Sequence, residues 1–125
     1  MSTETKGTIS TELRKLLTVQ NITIQAIRRV LPNFKKLPKQ NVTLPKVKGR
    51  LQTLEDQWNK VQATHAQILL ISTEDEQNSA LYFTEGRFLT TEDAYLEAAD
   101  YINDSIGKLS GTESVQSDKG NESSF

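Results

Sequence analysis

Apolar residues recur along the chain in three stretches at helical spacing, separated by a proline-rich connection and an acidic turn. The most regular stretch runs from Leu44 to Ser72. Placing Leu44, Leu51, Trp58, His65 and Ser72 at heptad position a, and Val47, Leu54, Val61 and Ile68 at d, gives one continuous seam. Thr43 stands where an N-cap belongs, and Pro45 falls in the first turn, where its missing N–H costs nothing. Gly49 interrupts this helix at a cost of about 1 kcal/mol against alanine, which the seam outweighs.

The first stretch places Ile9, Leu13, Leu16, Gln20, Ile24, Ile27 and Leu31 at steps of three and four, with Leu17 and Val30 widening the stripe. Thr8 or Ser10 can cap it. Pro32 disfavours helical backbone at Leu31 and predicts the end of the helix there. Pro38 follows, so residues 32–43 are expected to form a long basic connection, with a short turn over 33–37 tucking Phe34 and Leu37 inward.

The third stretch opens at Thr73, which with Glu76 has the spacing of a capping box. Leu81, Phe88, Tyr95, Ile102 and Leu109 then fall seven apart, with Ala99 and Ile106 between them. Gly86 and the pair Thr90 and Thr91 predict a kink near 86–91, since Thr90 with Asp93 repeats the capping spacing. Gly107 and Gly111 predict its end. The expected organisation is therefore 1–7 disordered and 8–109 a helical bundle, followed by a disordered tail over 110–125. Within the bundle, helix one covers about 8–31, the basic loop 32–43, helix two 44–72 and helix three about 74–106. The fold class is all-α: an antiparallel three-helix bundle or coiled-coil hairpin with disordered termini.

Composition narrows the chemistry. The chain of 125 residues has room for one domain, and no cysteine is present, which removes disulfides, thiol nucleophiles and cysteine-ligated zinc. No apolar run approaches the roughly 20 residues of a membrane span. A cytoplasmic setting is expected, in which the sequons at Asn21, Asn41, Asn103 and Asn121 stay unused. The single histidine, His65, sits in the seam with no nucleophile or second ligand beside it, so a packed side chain is the simpler reading. Scattered glycines give no phosphate-binding loop, and no cofactor is expected.

Charge is unevenly placed although the net is only −1. Between Leu13 and Leu54 there are ten Lys or Arg and no acid, whereas Thr73 to Asp104 carries nine acids and only Arg87. The two poles either lie beside each other within the fold or present a cationic face to phosphate or an anionic membrane. Possible phosphate contacts are Arg28, Arg29, Lys35, Lys36, Lys39, Lys46, Lys48 and Arg50. The core or interface anchors are Leu51, Leu54, Trp58, Val61, Ile68, Phe88 and Tyr95.

The spacing L-x-x-L-x-x-x-W-x-x-V at Leu51, Leu54, Trp58 and Val61, then Gln67-Ile68, an acidic turn, Tyr82-Phe83, Phe88 and Tyr95, resembles the N-terminal helical region of Gag polyproteins from insect BEL/Pao-type LTR retrotransposons. The resemblance spans about Ile9 to Ile106. It implies a non-catalytic interaction domain for self-association and particle assembly, with partners in copies of itself or other Gag-like chains, and RNA held on the basic loop. It also implies a truncated copy, because no capsid-like domain, zinc knuckle, protease signature or polymerase follows. The residues alone leave two other readings open, a basic-pole binder of nucleic acid or anionic membrane and a cellular coiled-coil adaptor. A small-molecule substrate is not expected.

Overall fold

The computed structural model describes residues 9–117, and the regular structure there is all-α. Helix α1 spans Thr11–Lys35; Ser10 caps it, its Oγ accepting from the Leu13 N–H at 3.1 Å. The helix buries Leu13, Gln20, Thr23, Ile24, Ile27 and Phe34 along one stripe. The expected stop before Pro32 does not occur, and α1 runs a further turn through the proline. The ring removes one backbone bond and crowds the preceding turn, at a cost of about 3 kcal/mol. Burial of Phe34, which meets Tyr101 edge-on at 5.9 Å, offsets much of this. Phe34 and Leu37 thus turn inward as anticipated, Phe34 from the last turn of α1 and Leu37 just beyond it.

A single 3₁₀ turn, Lys39–Asn41, then leads to α2, Leu44–Ile71. Thr43 occupies the N-cap with extended backbone, but its hydroxyl makes no capping bond; Pro45 lies in the first turn as expected. All four d residues of the seam are buried, together with Trp58 and Thr64. The heptads therefore pack within one chain.

The third stretch is not one kinked helix but three pieces: α3 at Glu74–Ser79, α4 at Leu81–Thr84 and α5 at Arg87–Ser117. Extended backbone at Ala80 separates the first two, and Gly86, at φ 60°, separates the last two. That φ is open to glycine without the steric cost a Cβ would bring. The helix restarts at Arg87, four residues before Thr91, so the capping spacing of Thr90 and Asp93 is not used; Thr90 Oγ1 instead donates to the Arg87 carbonyl. The breaks shift the register, leaving Leu81 59 % exposed and Tyr82 only 3 % exposed.

Helix α5 also continues through Gly107 and Gly111, where an end was expected. Two glycines cost about 2 kcal/mol of helix propensity, but Ile106 and Leu109 still pack against the core and hold the helix in place. Residues 110–117 are thus helical rather than a disordered tail. The expectations for 1–7 and for 118–125 lie outside the described residues.

Helices α1, α2 and α5 each pack on the other two. Helix α2 is antiparallel to both: Trp58 meets Tyr95 and Phe88, and the later His65 meets Phe88. Helices α1 and α5 run the same way, since Asn21, Arg28 and Phe34 contact Arg87, Thr90 and Tyr101 in order. Restoring the missing backbone donor in α1 should help the fold. Pro32→Ala is expected to raise stability by about 1–2 kcal/mol in urea titration, after the unfolded chain's gain in freedom is subtracted.

Candidate functional site

Three features of the bundle carry polar or aromatic chemistry. The first is a column of rings between α2 and the third stretch. Trp58 and His65 stand seven apart on α2, Phe88 and Tyr95 seven apart on α5, and the antiparallel packing interleaves them. Tyr95 stacks on Trp58 at 5.1 Å, Trp58 on Phe88 at 5.4 Å and Phe88 on His65 at 3.9 Å. Tyr82 tilts against His65 at 5.7 Å and closes the column.

A buried polar chain ends at the same place. Gln20, fully buried in α1, donates through Nε2 to the Val61 carbonyl at 2.9 Å and to Tyr82 Oη at 3.0 Å. Tyr82 Oη lies 2.6 Å from His65 Nδ1. The phenol accepts from Gln20, and its remaining hydrogen and lone pair let it meet either tautomer of the imidazole. Burial lowers the His65 pKa, in keeping with a neutral ring. Burial raises the Tyr82 pKa, and the Gln20 bond partly opposes that. The column and the chain hold a histidine and a tyrosine together, yet among the described residues no carboxylate, serine or second imidazole joins them; they fix the packing of α4 against α1 and α2.

The second feature joins two helix starts. Glu76 completes the predicted capping box, its Oε1 accepting from the Thr73 N–H at 2.8 Å while Thr73 Oγ1 accepts from the Glu76 N–H at 3.1 Å. Its other oxygen accepts from the Ser10 N–H at 3.0 Å, which the local spacing could not reveal. The Ser10 and Thr73 N–H groups hold the carboxyl below the usual glutamate range, against the opposing effect of burial.

The third feature is the basic pole. All eight cations named from the sequence are exposed, but they do not form one patch. Arg28 turns toward α5 and donates to Thr90 Oγ1 at 2.9 Å, and Lys35 lies over the Tyr101 ring at 4.9 Å. Arg29, Lys46 and Arg50 come together along a cleft of about 630 Å³ between α1 and α2. Lys36, Lys39 and Lys48 lie outside it. Among the described residues none of the eight forms an ion pair with the acidic stretch; the two ion pairs there join Arg87 to Glu85 and Lys108 to Asp104.

The seven anchors named from the sequence all belong to the core of a single chain. Leu54, Trp58, Val61 and Ile68 are buried, and Leu51, Phe88 and Tyr95 pack against them. Gln20 and Glu76 carry more of the polar architecture than their spacing announced; the available signal for Gln20 was an amide inside an apolar stripe. Among the described residues no group of three His, Cys, Asp or Glu side chains could hold a metal ion, and no helix is long and apolar enough to cross a membrane. No protein family, curated protein or solved structure compared with this chain matches it.

Two depressed pKa values give an acid-labile fold with separable steps. His65 binds its proton more weakly in the folded chain, so its contribution is complete above the ordinary value of 6.5 and is lost as pH falls through the folded pKa. Glu76 contributes fully above its ordinary value of 4.5 and loses that contribution below it. Urea titrations across pH should show stability falling from pH about 7 to 5, a loss that His65→Phe removes. Glu76→Gln should flatten the lower step and cost about 1–2 kcal/mol at neutral pH, because an amide oxygen cannot replace both acceptors.

Proposed function

We propose that this chain is a non-catalytic, Gag-like helical interaction module that associates with copies of itself. The lineage rests on the Leu51, Leu54, Trp58 and Val61 spacing and on the order of basic connection, Leu/Trp helix and acidic stretch with spaced aromatics. In that reading the module works in the cytoplasm, and assembly uses surface left over once the heptad seam has been spent inside the chain.

The observation that carries self-association is an apolar notch at the far end of the α1–α2 pair. Leu16, Leu70 and Ile71 line it, with Glu12, Lys15 and Gln67 around them, and Leu70 is 84 % exposed. A leucine this exposed contributes little to its own fold, and clustered apolar surface marks contact sites. The rim favours a second copy as the occupant: Glu12 and Lys15 are of opposite sign and one helical step apart, so a two-fold arrangement sets the Glu12 of each chain against the Lys15 of the other.

Sedimentation over a range of concentrations tests this. The expected result is reversible dimerisation that Leu70→Glu abolishes while changing monomer stability by no more than about 0.5 kcal/mol. A chain that stays monomeric at high micromolar concentration, or a dimer indifferent to Leu70→Glu, rules out the proposed interface.

A further inference from the structure

The cleft between α1 and α2 has the makings of a binding site that neither the core nor the apolar notch explains. At about 630 Å³ it lies within the size range of small-ligand pockets, roughly 300–1,000 Å³. Its lining carries Arg29 from α1 and Lys46 and Arg50 from α2, and no acidic side chain. Three cations thus share one concavity. Lys46 Nζ is held by a neutral acceptor, Asn41 Oδ1, at 3.0 Å, while Arg29 and Arg50 have no side-chain hydrogen bond or ion pair among the described residues.

One further observation at the same walls points to an occupant. Gly49 stands in the interior of α2, where it costs about 1 kcal/mol of helix stability against alanine. No packing constraint accounts for it: a Cβ built there meets nothing within 4 Å. Because Gly49 also lines the cleft, its missing side chain leaves room for something to approach the helix backbone.

We propose that this cleft binds a small polyphosphorylated molecule, its phosphates held by Arg29, Lys46 and Arg50. The two guanidinium groups can each take a phosphate in fork geometry, and the lysine adds a point charge held in place by Asn41. Gly49 admits the ligand against the α2 backbone. The site is independent of the proposed dimer contact at Leu16, Leu70 and Ile71.

Calorimetric titration of the full chain with inorganic tripolyphosphate at low salt is the test. Binding is expected to weaken by about tenfold or more in Arg29→Gln/Arg50→Gln, as loss of charge-assisted bonds implies. Lys36→Gln/Lys48→Gln removes the same charge outside the cleft and should weaken binding by less than about twofold if the site is local. Gly49→Leu should also weaken binding by about tenfold, with its thermal midpoint unchanged or raised, which separates a filled cleft from a damaged fold. Parallel titrations with vesicles bearing phosphorylated headgroups distinguish a free ligand from a lipid source of the same chemistry. The proposal is overturned by no binding at millimolar tripolyphosphate, by equal loss in the two double variants, or by undiminished binding in Gly49→Leu. Binding of a short single-stranded RNA without binding of tripolyphosphate overturns it as well.

Discussion

A fully buried amide needs partners in a place where water cannot supply them, and the shape of the third stretch follows from where Gln20 finds its own. One hydrogen from Nε2 goes to the Val61 carbonyl and fixes the distance between α1 and α2. The other goes to Tyr82, which must therefore enter between those helices. A continuous helix from Thr73 would carry Leu81, not Tyr82, on its inward seam. The extended residue Ala80 and the positive-φ Gly86 provide the change in direction, and the chain accepts two helix breaks to deliver one phenol. The arrangement is incompletely satisfied, since Gln20 Oε1 has no partner. Turning the amide over would set oxygen against the Val61 carbonyl, so the orientation is fixed by the stronger of two needs.

Where contacts are set by residues close in sequence, the sequence disclosed them. The d positions of α2, the capping box of Thr73 and Glu76, and the seven-residue spacing of Phe88 and Tyr95 all act within a few turns of helix. Where the structure departs, the deciding partner is distant. Pro32 does not end α1 because Phe34 has Tyr101 to pack on, and the break before Tyr82 depends on Gln20, 62 residues away. The glycines of α5 were over-weighted as stops: propensity predicts weakness there, but Ile106 and Leu109 retain contact with the core. Of the basic candidates, only the fold could sort Arg29, Lys46 and Arg50 from the rest, because they converge from two helices that meet antiparallel.

The two charge poles tell a related story. Opposite charges on neighbouring helices suggest mutual neutralisation, yet Arg28, Lys46 and Lys35 meet a hydroxyl, an amide and a ring in place of carboxylates. Exposed ion pairs contribute little, so folding places no strong demand on their formation. The positive field of the α1–α2 side is left available to solutes.

The Glu76 carboxylate receives one N–H from each of two helix starts, from Thr73 three residues before it and from Ser10 66 residues before it. Helix ends ordinarily fray independently, each opening and closing on its own schedule. Here a single acceptor spans both, so release of Ser10 weakens the hold on Thr73 and the reverse. The beginning of α1 and the acidic turn behave as one cooperative latch, and the chain gains between distant segments the kind of closure that a chain without cysteine cannot make covalently.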